Sequence, residues 1–201
     1  MKEENQKHSD IQGSDEFPRG TILLSSPMLN DPNFKRTAIL ILDQDESGGH
    51  IGLVLNRPLD ITLSDICKMP GKYAKQFVHH GGPVDLQRMF WLHSLGDLIP
   101  GSLEILPGLY VGGDYDAMIS LFEEGRVDLD HKIHFYLGYS GWGKEQLKAE
   151  TAAGAWGILP MLIDSNLIFD LDGEELWHQL CLLLSPEYRH WRMIPSDPEL
   201  N

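Results

Sequence analysis

The chain is short of cysteine, of basic charge and of long apolar runs, and each shortage excludes something. It has two cysteines in 201 residues, Cys67 and Cys181, far apart and with no CxxC spacing. That pattern offers neither a disulfide framework nor a zinc knuckle. The opening residues, MetLysGluGluAsnGlnLysHis, hold no apolar stretch of the kind a secretory signal needs, so the expected home is the reducing cytoplasm. No run approaches the roughly 18 apolar residues of a membrane span, so no membrane role is expected. Lys and Arg number 16 against 30 Asp and Glu, a formal net charge of -14. Residues 1 to 96 carry 10 basic and 12 acidic side chains, and residues 97 to 201 carry 6 and 18. Nucleic-acid affinity comes largely from cations that displace counterions from phosphates, so an acidic chain without a basic stripe disfavours direct nucleic-acid binding.

What is present suits one compact domain. With 42% hydrophobic residues, a chain of this length buries about 70% of its unfolded surface and needs no staple. Residues 1 to about 18 are polar and lack apolar periodicity, which predicts a disordered tail; residues 19 to 201 form the domain. Strands are expected over 21 to 25, 36 to 43 and 50 to 56, the last two joined by the turn residues AspGluSerGlyGly, with Pro58 as the stop. Thr62 and Asp65 have capping-box spacing before a short helix. Further strands are expected over 76 to 80, 89 to 93, 103 to 106, 109 to 112 and 131 to 137. A helix runs from the N-cap Asp114 to Gly125, and others cover 143 to 153 and 174 to 184, ended by Pro186. Strands gather early and helices late without βαβ alternation. The fold class is therefore α+β, a single domain with a curled, mainly antiparallel, barrel-like sheet and flanking helices.

Residues 132 to 147 resemble a strand that enters a glycine-rich turn and then a helix. Gly138, Gly143 and Lys144 satisfy GxxxxGK, but Glu145 stands where a phosphate loop needs a hydroxyl for magnesium. Gly138 and Ser140 begin GxSxG, but Trp142 replaces the glycine that relieves the nucleophile elbow. Other candidates are single groups. Asn56 and Arg57 could hold an anion or brace the turn at Pro58. Gly81, Gly82 and Pro83 either turn the chain or let a backbone come close. His93 is the best lone acid or base, against the blander reading of a satisfied core histidine. His79 with His80, and His131 with His134, lack the spacing and companions of metal ligands, so no metal and no cofactor is expected.

Several separated stretches together resemble the AlgH/YqgE family. They are GlyThrIleLeuLeuSerSerPro (20 to 27), AsnAspProAsnPhe (30 to 34) with Arg36, GlyLeuValLeuAsnArgPro (52 to 58), GlyGlyProVal (81 to 84), LeuHis (92 to 93) and GlyTyrSerGlyTrp (138 to 142) with Gln146, Leu147 and Trp156. The resemblance implies a bacterial, cytosolic α+β protein, from a family linked by name to regulation of alginate synthesis and labelled as transcriptional regulators. No catalytic residue set comes with it, and in similar proteins the positions around Ser140 vary, which favours scaffolding over chemistry there. The expected function is a non-enzymatic regulatory module that binds a small molecule or a protein partner, of unknown oligomeric state, with Asn56, Arg57, the turn Gly81, Gly82 and Pro83, and Trp142 around one cleft and His93, Tyr139, Ser140 and Gln146 as further ligand-binding candidates. The alternatives are a regulator that acts directly on DNA, and a hydrolase in which Ser140 works with Asp164 or Asp170 and with His178 or His190.

Overall fold

The computed structural model describes residues 16–69, 71–125, 129, 131–159 and 163–196. Most of the expected polar tail lies outside these residues; at its end, Phe17 is buried against Leu23, Ile39 and Ile41. Strands β1 (Ile22–Ser25), β2 (Ala38–Gln44) and β3 (His50–Val54) form an antiparallel meander. The β2–β3 turn is held by the Asp45 carboxylate, which accepts from the amides of Ser47 and Gly49, both at 2.8 Å. This is the local turn chemistry that the sequence carries. The capping box also forms: the Thr62 amide donates to Asp65 Oδ2 at 2.7 Å and starts α1 (Leu63–Ile66). Helix α2 (Tyr115–Glu124) begins on Asp114, which accepts from the Ala117 amide at 2.8 Å, and ends on Gly125 at φ 59°.

Four expectations are corrected. Pro58 does not stop a strand but opens one, β4 (Pro58–Thr62), which pairs with β5 (Phe77–His80). A proline is tolerated there because β4 has β5 as its one strand partner among the described residues. The helix expected from 143 starts at Gln146, as α3 (Gln146–Ala152). The last helix, α5 (Gly173–Cys181), is shorter than expected and is preceded by α4 (Asn166–Asp170) and followed by 3-10 turns over Pro186–Met193. Most consequential, the chain does not turn at Gly138. Strand β9 (Ile133–Trp142) runs straight through the stretch that resembled a phosphate loop or an elbow.

Among the described residues ten strands form the sheet, including β6 (Val84–His93), β7 (Leu103–Leu106), β8 (Leu109–Val111) and β10 (Trp156–Ile158), and the main path runs β10-β1-β2-β3-β9-β6-β8-β7. The sheet is curled and mainly antiparallel, with β5 and β9 its parallel pair, and its ends do not meet. Strand β9 organises it. One edge pairs with β6; the other pairs first with β5, from Val78↔Phe135 to His80↔Leu137, and then with β3, from Gly52↔Ser140 to His50↔Trp142. The change of partner falls at Gly138, whose φ is +71°. A Cβ there would lie 2.4 Å from the Gly82 carbonyl oxygen, and a Cβ on Gly82 would lie 2.2 Å from Tyr139 C. Only glycine permits this approach of two backbones. Helix α5 lays Leu176, Trp177, Leu180 and Cys181 on β1 to β3, while α2 covers the first half of β9 through Phe122 and Phe135.

Candidate functional site

Of the candidate residues, Asn56 and Arg57 line one hollow; the others are dispersed, and most are occupied by the fold. Asn56 is buried, accepts from the Ala38 amide at 2.9 Å, and donates to the carbonyls of Arg36 at 3.0 Å and Gly173 at 2.7 Å. Its amide is spent on tying β2 to the start of α5. Gly81 donates to the Leu137 carbonyl and accepts from Val54, so it belongs to the sheet ladder rather than to an open turn; Pro83 follows on the surface. Ser140 is fully buried and donates to the Gly81 carbonyl at 3.3 Å. Tyr139 packs edge-on to Phe90. His93 is fully buried, with Nε2 near Ser102 Oγ at 3.0 Å and the Gly112 carbonyl at 3.1 Å, while Nδ1 accepts from the Leu95 amide at 3.2 Å. Burial holds its pKa below the usual histidine value. The bland reading of His93 is the one the geometry fits.

Trp142 and Gln146 belong to a separate cluster. The indole N–H groups of Trp142 and Trp156 both donate to Glu150 Oε2, at 2.9 and 2.8 Å, and Gln146 donates to Glu150 Oε1 at 2.8 Å. The Gln146 side-chain oxygen accepts from the Gly143 amide at 3.1 Å. Gly143 of the near-motif thus supports, through Gln146, a two-tryptophan clamp on one carboxylate, whereas Gly138 serves the crossing with Gly82. Sequence reasoning missed Glu150, although the spacing from Gln146 places both on one helix face.

Arg57 is different. It stands half-buried beside a hollow of about 330 Å³ lined by Lys35, Arg36, Asn56, Pro58, Gly173 and Glu174, at the first turn of α5. One N–H of Arg57 reaches the Lys35 carbonyl. Burial lowers its pKa from the ordinary arginine value, partly opposed by Glu174. The Arg36 guanidinium, 2% exposed, lies 4.8 Å over the Trp177 ring, bonds the Ile194 carbonyl and has Glu174 Oε2 at 3.8 Å. The Lys35 ammonium reaches the Ser196 carbonyl at 2.9 Å.

On the other side of the α4–α5 junction lies a group that the sequence pattern did not disclose. His79, 3% exposed, meets Asp172 Oδ2 through Nε2 at 2.8 Å, and its ring stacks on His134 with centroids 4.7 Å apart. Tyr136 lies next to them, 5.2 Å from the His79 centroid. Among the described residues, buried side-chain atoms without a hydrogen-bond partner include Nδ1 of His79, Nδ1 of His134, the Tyr136 hydroxyl and Oε1 of Gln76. Burial, and then His79, drive the His134 pKa down to about 3, against the opposing charge of Asp172. Burial also raises the Tyr136 phenol. For Asp172, burial pushes upward, but the bond and charge of His79 and the Gly173 amide outweigh it and leave a lowered carboxyl. Asp172 caps α5 as well, so one carboxylate ties the histidine pair to the helix that borders the Arg57 hollow. The parallel register, His79 opposite Tyr136, is what brings histidines 55 positions apart together.

An open, curled, mostly antiparallel sheet with helices on it, a glycine crossing under its central strand and a basic hollow at the start of α5 defines an α+β class, with no metal-ligand cluster among the described residues. Residues 22–189 match the family model described as AlgH-like, and the chain belongs to that family. It is 36% identical over 193 residues to a UPF0301 protein of Parabacteroides distasonis, covering 95% of this chain and 96% of that one. A UPF0301 protein of Bacteroides fragilis is 38% identical over 193 residues, with 95% of each chain covered. Among solved structures, the AlgH protein from Pseudomonas aeruginosa superposes with a TM-score of 0.66 at 26% identity, over 91% of this chain and 92% of that one. Protein DIP2367 from Corynebacterium diphtheriae shares the fold at 16% identity, with a TM-score of 0.65 over 88% and 92% of the two chains.

Proposed function

We propose that this protein is a non-enzymatic binding module that takes a small carboxylate- or phosphate-bearing ligand in the hollow beside Arg57. The observation that carries this reading is the gathering of Lys35, Arg36 and Arg57 around one hollow at the first turn of α5, with Glu174 as its one acidic lining residue, in a chain of net charge -14. Basic side chains concentrated against the overall charge focus a positive potential. A half-buried guanidinium gains most from an anion because its own hydration is already reduced.

A cytoplasmic location goes with this reading and rests on the two free thiols, Cys67 and Cys181. No helix among the described residues is long and apolar enough to cross a membrane. The hydrolase reading has less under it, since Ser140 is buried and bonded to a backbone carbonyl. The DNA reading has to overcome the net charge.

The test is a thermal-shift titration with inorganic phosphate, citrate and a short acidic peptide. A ligand that binds the native state raises the melting temperature by mass action. The expected result is a rise with at least one of these anions that Arg57→Ala abolishes. A rise unchanged in Arg57→Ala, or no rise with any of the three, overturns the assignment.

A further inference from the structure

The hollow beside the histidine stack is independent of the Arg57 hollow and has a different character. It measures about 320 Å³, and Lys72, Lys75, Gln76, His131, His134 and Phe169 contribute to its wall. None of its lining residues is a carboxylate, in a chain where acidic side chains outnumber basic ones by 30 to 16. Its volume is that of a small-ligand pocket. Leu129 and the ring of Tyr73 add apolar wall beside Phe169, and all three are buried. The Lys72 ammonium is held 5.2 Å over the Tyr73 ring, so its charge stands at the edge of that apolar wall.

We infer that this hollow is a binding site for a small phosphate monoester that carries a planar ring. Two lysines match the double charge of a phosphate monoester, and lysine is a compact point-charge partner for it. Phe169, Leu129 and Tyr73 give the ring an apolar face. His134 is kept neutral by burial and by the stacked His79, so it can donate to or accept from the ligand without adding charge. Its Nδ1 and the Gln76 Oε1 are buried atoms of the same wall without a hydrogen-bond partner. Asp170 stands 3.4 Å from His131 Nδ1. That carboxylate sets the orientation: the phosphate lies at the lysine end and the ring toward Phe169.

The proposal is tested by isothermal titration of the full chain with phenyl phosphate, adenosine monophosphate and inorganic phosphate, repeated on Lys75→Glu, His134→Gln and Arg57→Ala. The expected result is that a ring-bearing phosphate binds at least about tenfold more tightly than inorganic phosphate, a difference of about 1.4 kcal/mol. Lys75→Glu, at an exposed position that leaves the core untouched, weakens binding by about tenfold or more, while Arg57→Ala leaves it within about twofold. His134→Gln weakens it further if that variant melts as the parent does. Equal binding of inorganic phosphate in Arg57→Ala, where the other hollow is removed, binding indifferent to Lys75→Glu, loss of the ring-bearing probes in Arg57→Ala instead, or no binding of either ring-bearing probe each overturns the site.

Discussion

The two ends of β9 both gather aromatic rings around a carboxylate, and they finish differently. At the C-terminal end, Trp142 and Trp156 share Glu150, and Gln146 completes the set, so the polar groups of the cluster are matched. Toward the N-terminal end, His134 and Tyr136 meet His79 and Asp172, and three nitrogen or hydroxyl atoms are left buried without partners. A saturated cluster stabilises the fold and has nothing left to offer a ligand. An unsaturated one costs stability, which a fold tolerates where those groups face something else. The contrast moves attention from the glycine and tryptophan stretch to the junction of α4 and α5.

The sharpest test of the scaffold side is the glycine crossing between the two ends. Gly82→Ala puts a Cβ 2.2 Å from Tyr139 C at φ +149°, and should cost more than about 4 kcal/mol, read as loss of soluble folded protein. Glu150→Ala strips two indole donors of their acceptor and should destabilise by about 2–4 kcal/mol in urea denaturation. Less than about 1 kcal/mol would show that the saturated cluster is no anchor of the fold. Asn56→Ala, which loses bonds to Ala38 in β2, to Arg36 just before it and to Gly173 in α5, should cost about 3 kcal/mol and shift the Arg57 hollow with it.

The histidine end is broken by pH. The His134 pKa falls from 6.5 in the unfolded chain to about 3 in the fold, so the unfolded state takes up a proton that the native state refuses. Stability from this group is whole above pH 6.5 and is lost as pH falls toward 3, by about 2 kcal/mol between pH 7 and pH 5. Asp172, whose carboxyl is lowered, adds loss in the same direction once pH drops below 3.8. His134→Gln should flatten the slope between pH 7 and 5 in denaturant melts, and an unchanged slope would remove His134 as its source. The smallest effect belongs to Ser140→Ala, which gives up one long bond of 3.3 Å and should cost under about 1 kcal/mol with no change in ligand binding.

Local chemistry was legible in the chain wherever a short window held the whole interaction. The Asp45 turn, the Thr62 and Asp65 capping box, the Asp114 N-cap with its Gly125 exit and the apolar stripe of α5 were all readable because partners lie within about four positions of each other. The misreadings share the opposite cause. Gly138 looked like the start of a turn, and becomes strand because Gly82 and β6 press on it from more than fifty positions away. Pro58 looked like a stop, and opens β4 because the edge it presents needs no donor. Of the candidate residues, Arg57 and Asn56 stay beside one hollow, though the Asn56 amide, like Gly81, His93, Ser140 and Trp142, is taken by partners that the linear pattern does not reveal.

The amino-acid order by itself determined the α+β class, the surplus of negative charge and the caps and turns, since these follow from composition and from contacts a few residues long. The pairing of His79 with His134, the two tryptophans on Glu150 and the basic hollow between β2 and α5 were decided by strand register and helix docking. Those are long-range choices, settled by burial of the whole sheet at once, and no short window of the chain contains them.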